Sequence, residues 1–316
     1  MKQIAEHLGI SRTTVSLVLK GAGDQYRISP STQQRILSYA RSSGYRPNYF
    51  ASALNSRHSK VIAAIFPDVF ESFMGRIVKG MESVLYEQGY SLMLSTSRFD
   101  PERERSLIDS MLYRGCDGLV LIPTMPYSHE PPYDSSYIRD IVSEAPPIVL
   151  VDRTIPDITL PCVLQLDYRR TAEALTPAAE SGCRNIVCIS FDLQASSIRD
   201  RLRGYSDVMK YYGLQEQVFF LTSQDPTSGD LTEYLDSLET MPDLFFVTTS
   251  GLADKLSFLL KQRCSTAPII RFGSSAPWSM DTMTDIPQPH EAMGAEAARL
   301  LLSCINDGWR YEKVLC

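Results

Sequence analysis

No run of about 18 consecutive apolar residues occurs anywhere in the 316-residue chain, so no membrane-crossing helix is expected. The opening MKQIAEHLGIS carries Glu6 and His7 where a secretory signal would place an apolar core, and the expected location is the cytoplasm. Cysteine is sparse and unpatterned. Its seven copies, Cys116, Cys162, Cys183, Cys188, Cys264, Cys304 and Cys316, form no C-x-x-C pair, which argues against both a zinc site and a disulfide framework. They read as reduced packing residues, with Cys188 inside an apolar strand-like run. Histidine is rarer still: His7, His58, His129 and His290 are far apart, and none sits in a catalytic motif. The chain also lacks G-x-x-x-x-G-K-[ST], G-x-S-x-G and H-E-x-x-H. An enzyme is therefore disfavoured, and neither a metal nor a cofactor is expected.

What is present is ordinary globular material, 44% hydrophobic and 22% charged, in a chain long enough for two or three cores. The net charge of −6 conceals an asymmetry. Residues 1–60 hold nine Lys/Arg against only Glu6 and Asp24, a net of +7, which leaves −13 for the remainder. A basic arm on an acidic body draws a polyanion to one end and repels it from the other. A solvated basic face without a partner would show the same charges.

The arm has helical punctuation. Ile4, Ala5 and Leu8 share one helical face, Gly9 breaks the pattern, and Ser11 stands where an N-cap opens a second helix carrying Thr14, Val15, Val18 and Leu19. In the spacing Ala5-x3-Gly9-x5-Val15, a small residue lets two helices cross closely, Gly takes φ > 0 in the turn and a β-branched side chain fills the wedge. A third helix follows, capped by Ser29 with Pro30 in its first turn, turning Ile36, Leu37 and Ala40 inward and stopping at Gly44. Arg12, Thr13, Ser16 and Leu17 then project from the exposed face of the second helix.

The segments IAEHLGISRTTVSLVLKG and SPSTQQRILSYARSSGYRPNYFASAL resemble the head of the LacI/GalR family of bacterial transcription regulators. The resemblance implies that the second helix enters the major groove and that Arg12 and Thr13 help choose bases, Arg through a bidentate pair to guanine and Thr through a hydroxyl and a methyl. Leu17 stands where the family often has a polar or basic residue, so one base contact is expected to be apolar. Ser11, Thr14, Ser16, Ser29, Thr32 and Asn48 complete the residues expected at the DNA. The stretch Tyr49–Leu54 resembles the family's hinge helix, too short to be stable alone. By that resemblance Leu54 wedges a minor-groove base step open when two subunits dock together. A plain interdomain linker is the competing reading.

From residue 61, apolar strand-like runs alternate with amphipathic helices: VIAAIF, IVKGMESVLYEQG, YSLMLST, PERERSLIDSMLYRG, CDGLVLIP, SSYIRDIVSEA, PPIVLVD. A second set runs from VLQL to PIIRFGS, with a long helix expected from Asp200 to Tyr212, and the chain ends near a possible strand at KVLC. The βαβ rhythm predicts two α/β lobes with parallel sheets. The family resemblance continues over nearly the whole length. It implies a periplasmic-binding-protein-like fold with three crossovers between lobes, behind an all-α helix-turn-helix domain. The expected domains are 1–45 for the head, 46–60 for hinge and linker, and 61–316 for the body, with lobe one at about 61–163 plus 288–306 and lobe two at about 164–287.

Parallel lobes bind ligands at the carboxyl ends of their strands, which makes the crevice between them the expected site. Carried over from the family, that cleft would include Phe70, Phe73, Asp152 and Arg201 in Arg201-x-x-Gly204-Tyr205; Thr249, which departs from the family's pattern, and Gln288, at a crossover, are also expected at it. A guanidinium can clamp hydroxyls or a carboxylate, and an aromatic wall can stack on a sugar's apolar face. Core packing of the two Phe residues, pairing of Asp152 with Arg153 or Arg201, and helix capping by Arg201 are the competing readings. Thr249-Ser250 and Gly273-Ser274 replace the family's usual amide and acids. A neutral hexose is thereby less secure, and an anionic or more apolar ligand, or none, gains weight.

Sequence and resemblance together predict a homodimeric, sequence-specific DNA-binding regulator, a repressor, that recognises a pseudo-palindromic operator. Its affinity for DNA would be modulated by a sugar or related metabolite between the lobes. A secreted solute-binding protein would share the lobes but not the basic head.

Overall fold

A computed structural model describes the chain except for residues 46–57, 69–71, 144, 224–228, 274–281 and 309–310. Two compact units are present, Met1–Ser59 and Lys60–Cys316.

The first unit holds three helices, α1 (Lys2–Leu8), α2 (Arg12–Leu19) and α3 (Pro30–Ser42). Gly9 ends α1 in the left-handed region at φ 63°, a conformation that costs glycine little, and its neighbour Ile10 donates to the carbonyl of Ala5 at 3.0 Å. Ser11 then accepts from the amide of Thr14 at 3.0 Å, and Ser29 from that of Thr32 at 3.3 Å, so both expected caps satisfy amides that the first helical turns leave unpaired. Ile4, Ala5, Val15, Val18, Ile36 and Ala40 form the small core. The long turn before α3 is pinned by Gln33, whose amide nitrogen donates to Asp24 and to the carbonyl of Ile28, each at 2.8 Å.

The second unit contains two all-parallel sheets. In the first, β1 (Val61–Phe66), β2 (Ser91–Thr96), β3 (Gly118–Leu121), β4 (Ile148–Val151), β5 (Cys162–Leu164) and β11 (Lys313–Leu315) take the order β11-β5-β4-β3-β1-β2. The second orders β6 (Ile186–Phe191), β7 (Gln217–Leu221), β8 (Leu244–Val247), β9 (Ile269–Phe272) and β10 (Met283–Ile286) as β10-β9-β8-β6-β7. The expected KVLC strand forms and pairs with β5, placing it in the first sheet. The described elements show two passages between sheets, β5 to β6 and β10 to β11; the expected third is not among them.

Both faces of each sheet are covered, which is why the strands read as continuous apolar runs. Ile62, Ala64 and Phe66 of β1 face α4 (Ser72–Glu87) and α11 (His290–Asp307), while Ala63 and Ile65 face α5 (Pro101–Tyr113) and α6 (Ser136–Val142). In the second sheet, Ile186 and Cys188 pack with α7 (Asp167–Glu180) and α8 (Ser196–Tyr211), and Val187 and Ile189 with α9 (Asp230–Ser237) and α10 (Ser250–Gln262). The helix expected from Asp200 begins four residues earlier, at Ser196, because Ala195 and Ile198 are buried in the first lobe's cluster and continue the helical face. Helices α4 and α11 approach so closely that a Cβ on Gly80 would overlap the carbonyl of Glu291, and one on Gly294 that of Ile77. All seven cysteines are free, and Cys116, Cys162, Cys188 and Cys304 are buried.

Candidate functional site

Two surfaces carry unsatisfied chemistry. On the small unit, α2 buries Val15 and Val18 and leaves Arg12, Thr13 and Lys20 exposed, with Ser16 and Leu17 half-buried between them. Arg12, Thr13, Ser16 and Lys20 line one shallow hollow together with Met1 and Lys2 at the start of α1. Lys20 was absent from the sequence-derived set, although its spacing of four from Ser16 was signal enough. The hydroxyls of Ser11 and Thr14 lie 2.8 Å apart, as do those of Ser29 and Thr32, so these four residues hold the starts of α2 and α3. Lys2, Arg27, Arg35 and Arg41 are also exposed, which keeps the unit's field positive. His7 stacks on Tyr39 with ring centroids 4.1 Å apart. Asn48 and Leu54 lie outside the described residues.

The second surface is a cleft at the carboxyl ends of the strands of both sheets. Of the six residues expected there, Phe73, Asp152, Arg201, Thr249 and Gln288 line it; Phe70, like Ser274, lies outside the described residues. Ser250, expected beside Thr249, lines it too, and Phe99, Phe191 and Ser197 join them, brought in by chain segments whose local sequence gives no sign of a shared pocket. Asp152 follows β4 at φ 69°, a left-handed conformation that is uncommon for a non-glycine residue and often marks a functional position.

The charges inside are paired. Arg153 directs Nε and Nη2 to one oxygen of Asp152, each at 2.9 Å, and Ser197 donates to the same oxygen at 3.3 Å. Arg201 does not cap its helix: Nε donates to Asp167 at 2.8 Å, Nη1 to the carbonyl of Thr248 at 2.6 Å, and the guanidinium lies 4.0 Å above the centre of the Phe272 ring. Burial pushes the Asp152 carboxyl up, but Arg153 and Arg201 outweigh it and hold the group below the usual carboxylate range. At Asp167 burial prevails over Arg201, and the carboxyl is raised. Glu104, also buried, is raised by desolvation against hydrogen bonds from Tyr133 and the Thr124 amide.

Several contacts tie the lobes: beside the Ser197 bond to Asp152, the Thr154 amide donates to the hydroxyl of Ser196 at 3.0 Å. Behind the cleft, Gln288 on the second passage donates to Gln165 on the first at 3.2 Å. In front, the segment after β3 meets the segment after β6 in a short antiparallel bridge between Tyr127 and Leu193. The Ser128 amide donates to the Asp192 carbonyl and the Gln194 amide to the Pro126 carbonyl, each at 2.9 Å. Two buried polar atoms near the cleft have no hydrogen-bond partner among the described residues, Oγ1 of Thr249 and Nε2 of Gln165. No group of three or more potential metal ligands occurs among the described residues.

Comparison with known proteins places both surfaces in one lineage. Residues 1–48 match the model of bacterial regulatory proteins of the lacI family, and residues 59–307 match that of periplasmic binding proteins and the sugar binding domain of the LacI family. The chain is 27% identical over 306 residues to the HTH-type transcriptional regulator DegA of Bacillus subtilis, covering 94% of this chain and 88% of that one. It is 30% identical over 214 residues to the sucrose operon repressor of Klebsiella pneumoniae, covering 68% and 62%. Among solved structures, a LacI-family transcriptional regulator from Silicibacter pomeroyi superposes with a TM-score of 0.76 at 19% identity, covering 100% of this chain and 95% of that one. The Cra transcriptional dual regulator from Pseudomonas putida in complex with fructose 1-phosphate superposes at 0.72 with 22% identity, covering 82% and 96%.

Proposed function

Since this chain belongs to the lacI family of bacterial regulatory proteins, DNA-binding transcription regulators governed by small molecules, we propose that it is a homodimeric repressor of a pseudo-palindromic operator. It acts in the cytoplasm, where bacterial DNA lies, and regulation of this kind requires no catalysis. The observation that carries the reading is the polar, basic face of α2, exposed on a helix whose other face fills a core and whose start is capped. Arg12 and Thr13 at the first turn reach base edges, Ser16 and Leu17 follow one turn on, and Lys20 meets phosphate. Asn48 and Leu54, in the stretch 46–60, contact DNA, with Leu54 as the minor-groove wedge.

A sugar or related metabolite occupies the interlobe cleft against Phe73, Asp152, Arg201, Thr249 and Gln288. Its differential affinity for two lobe arrangements shifts their populations, and with them the separation of two DNA-binding heads. The two-fold symmetry of a dimer makes the operator's halves repeat as inverted copies. Selection of bound duplexes from a random DNA library at physiological salt tests the reading. An enriched inverted repeat with a fixed centre supports it, and folded, dimeric protein that enriches nothing refutes it.

A further inference from the structure

The charges of the cleft narrow the chemistry of the effector, an inference that rests on the regulator reading. Two cations line the cleft, Arg153 and Arg201, and each already has a buried carboxylate within hydrogen-bonding distance. Asp152 and Arg201 are 6% and 5% exposed and Asp167 is 3% exposed, so these pairs are shielded from water and from salt. A third buried acid, Glu104, is near enough to Arg153 to feel its charge. The sequence of the stretches outside the described residues that follow β1 and β9, 69–71 and 274–281, holds no Lys or Arg. The cations of the cleft are therefore balanced from within.

The remaining lining is apolar or neutral. Phe73, Phe99 and Phe191 supply aromatic surface, and the Thr249 hydroxyl is a buried polar atom without a partner. Leaving such a group unpaired costs about 1–3 kcal/mol, which a ligand hydroxyl or carbonyl would relieve. An anion would have to shed its water beside carboxylates that already hold the guanidinium groups, with no uncompensated positive charge among the described lining residues to offset that loss.

We propose that the effector is an uncharged ring compound, with its apolar face against the phenylalanine wall and a polar edge toward Thr249. Asp152 and Asp167 act as built-in competitors that exclude phosphorylated and carboxylated analogues. The anionic ligand that the sequence left open is thereby disfavoured.

Thermal unfolding of the full chain with fructose, fructose 1-phosphate and inorganic phosphate tests this without DNA, so it is independent of the operator selection. Inorganic phosphate and fructose 1-phosphate at millimolar concentration should leave the wild-type midpoint unchanged. Inorganic phosphate should raise the midpoint of Asp152→Asn by several degrees, because the substitution releases Arg153. Asp167→Asn, which releases Arg201, gives the same reading should the first variant fold poorly. Stabilisation of the wild type by either phosphate overturns the proposal, as does failure of inorganic phosphate to stabilise a folded variant. Absence of operator enrichment alongside the expected phosphate pattern would count against the regulator reading alone.

Discussion

His290 opens α11 two residues after Gln288, 5% exposed, with its ring centroid 5.2 Å from that of Phe73. Burial holds its imidazole down to about 4; Asp152 pulls the other way, and Arg201 and Arg76 add to the depression. The positive end of α11 likewise disfavours the cation. In the unfolded chain the same group titrates near 6.5. Between pH 4 and 6.5 the unfolded state therefore binds more protons than the folded one, and the stability supplied by the neutral ring rises with pH through that window. Lowering the pH from 6.5 removes that stability progressively until the folded group itself protonates near 4. At 1.36 kcal/mol per pH unit the full effect is about 3 kcal/mol, most of it expressed by pH 4.5. Urea unfolding of wild type and His290→Leu at pH 7, 6, 5 and 4.5 isolates it, since the carboxylates titrate in both proteins. The wild type should lose roughly 2–3 kcal/mol relative to the variant over that range. Parallel stability curves for the two proteins would refute the account.

Further outcomes are expected elsewhere in the chain. Gly80→Ala should cost about 3 kcal/mol or more in urea unfolding, because the added methyl meets backbone of α11 that cannot rotate away; a neutral result would mean that α4 and α11 stand further apart. Ser11→Ala should destabilise the small unit by about 1 kcal/mol in thermal melts, through loss of the Thr14 amide's acceptor. Arg12→Ala should weaken binding to the selected operator by about 1–3 kcal/mol and relax preference at one base position, measured across single-base variants of the duplex. Equal weakening on every duplex would make Arg12 a phosphate contact instead.

The helix starts at Ser11 and Ser29, the stop at Gly9 and the alternation of strands with helices were legible because each depends on neighbours a few residues away. A cap needs an amide three positions on, and a buried parallel strand needs only a continuous apolar run. The cleft was legible in outline, since parallel strands of two lobes must end somewhere and Phe73, Asp152, Arg201, Thr249 and Gln288 follow those ends. The state of its charges was not. From sequence Arg201 could be assigned to a ligand, the favoured reading, to Asp152 or to a helix cap, and it pairs with Asp167, 34 positions earlier.

Gln165 and Gln288, 123 positions apart, gave no sign of touching, nor did Tyr127 and Leu193. By itself the sequence determined the elements, the layered α/β architecture and the basic three-helix head, because propensity, capping and apolar periodicity are local properties. Only the tertiary structure decided which acid holds which arginine, which polar atoms remain unpaired and how closely Gly80 meets α11. Such pairings depend on the distance between groups that chain folding alone brings together, and Coulombic attraction and hydrogen bonding act only at that range.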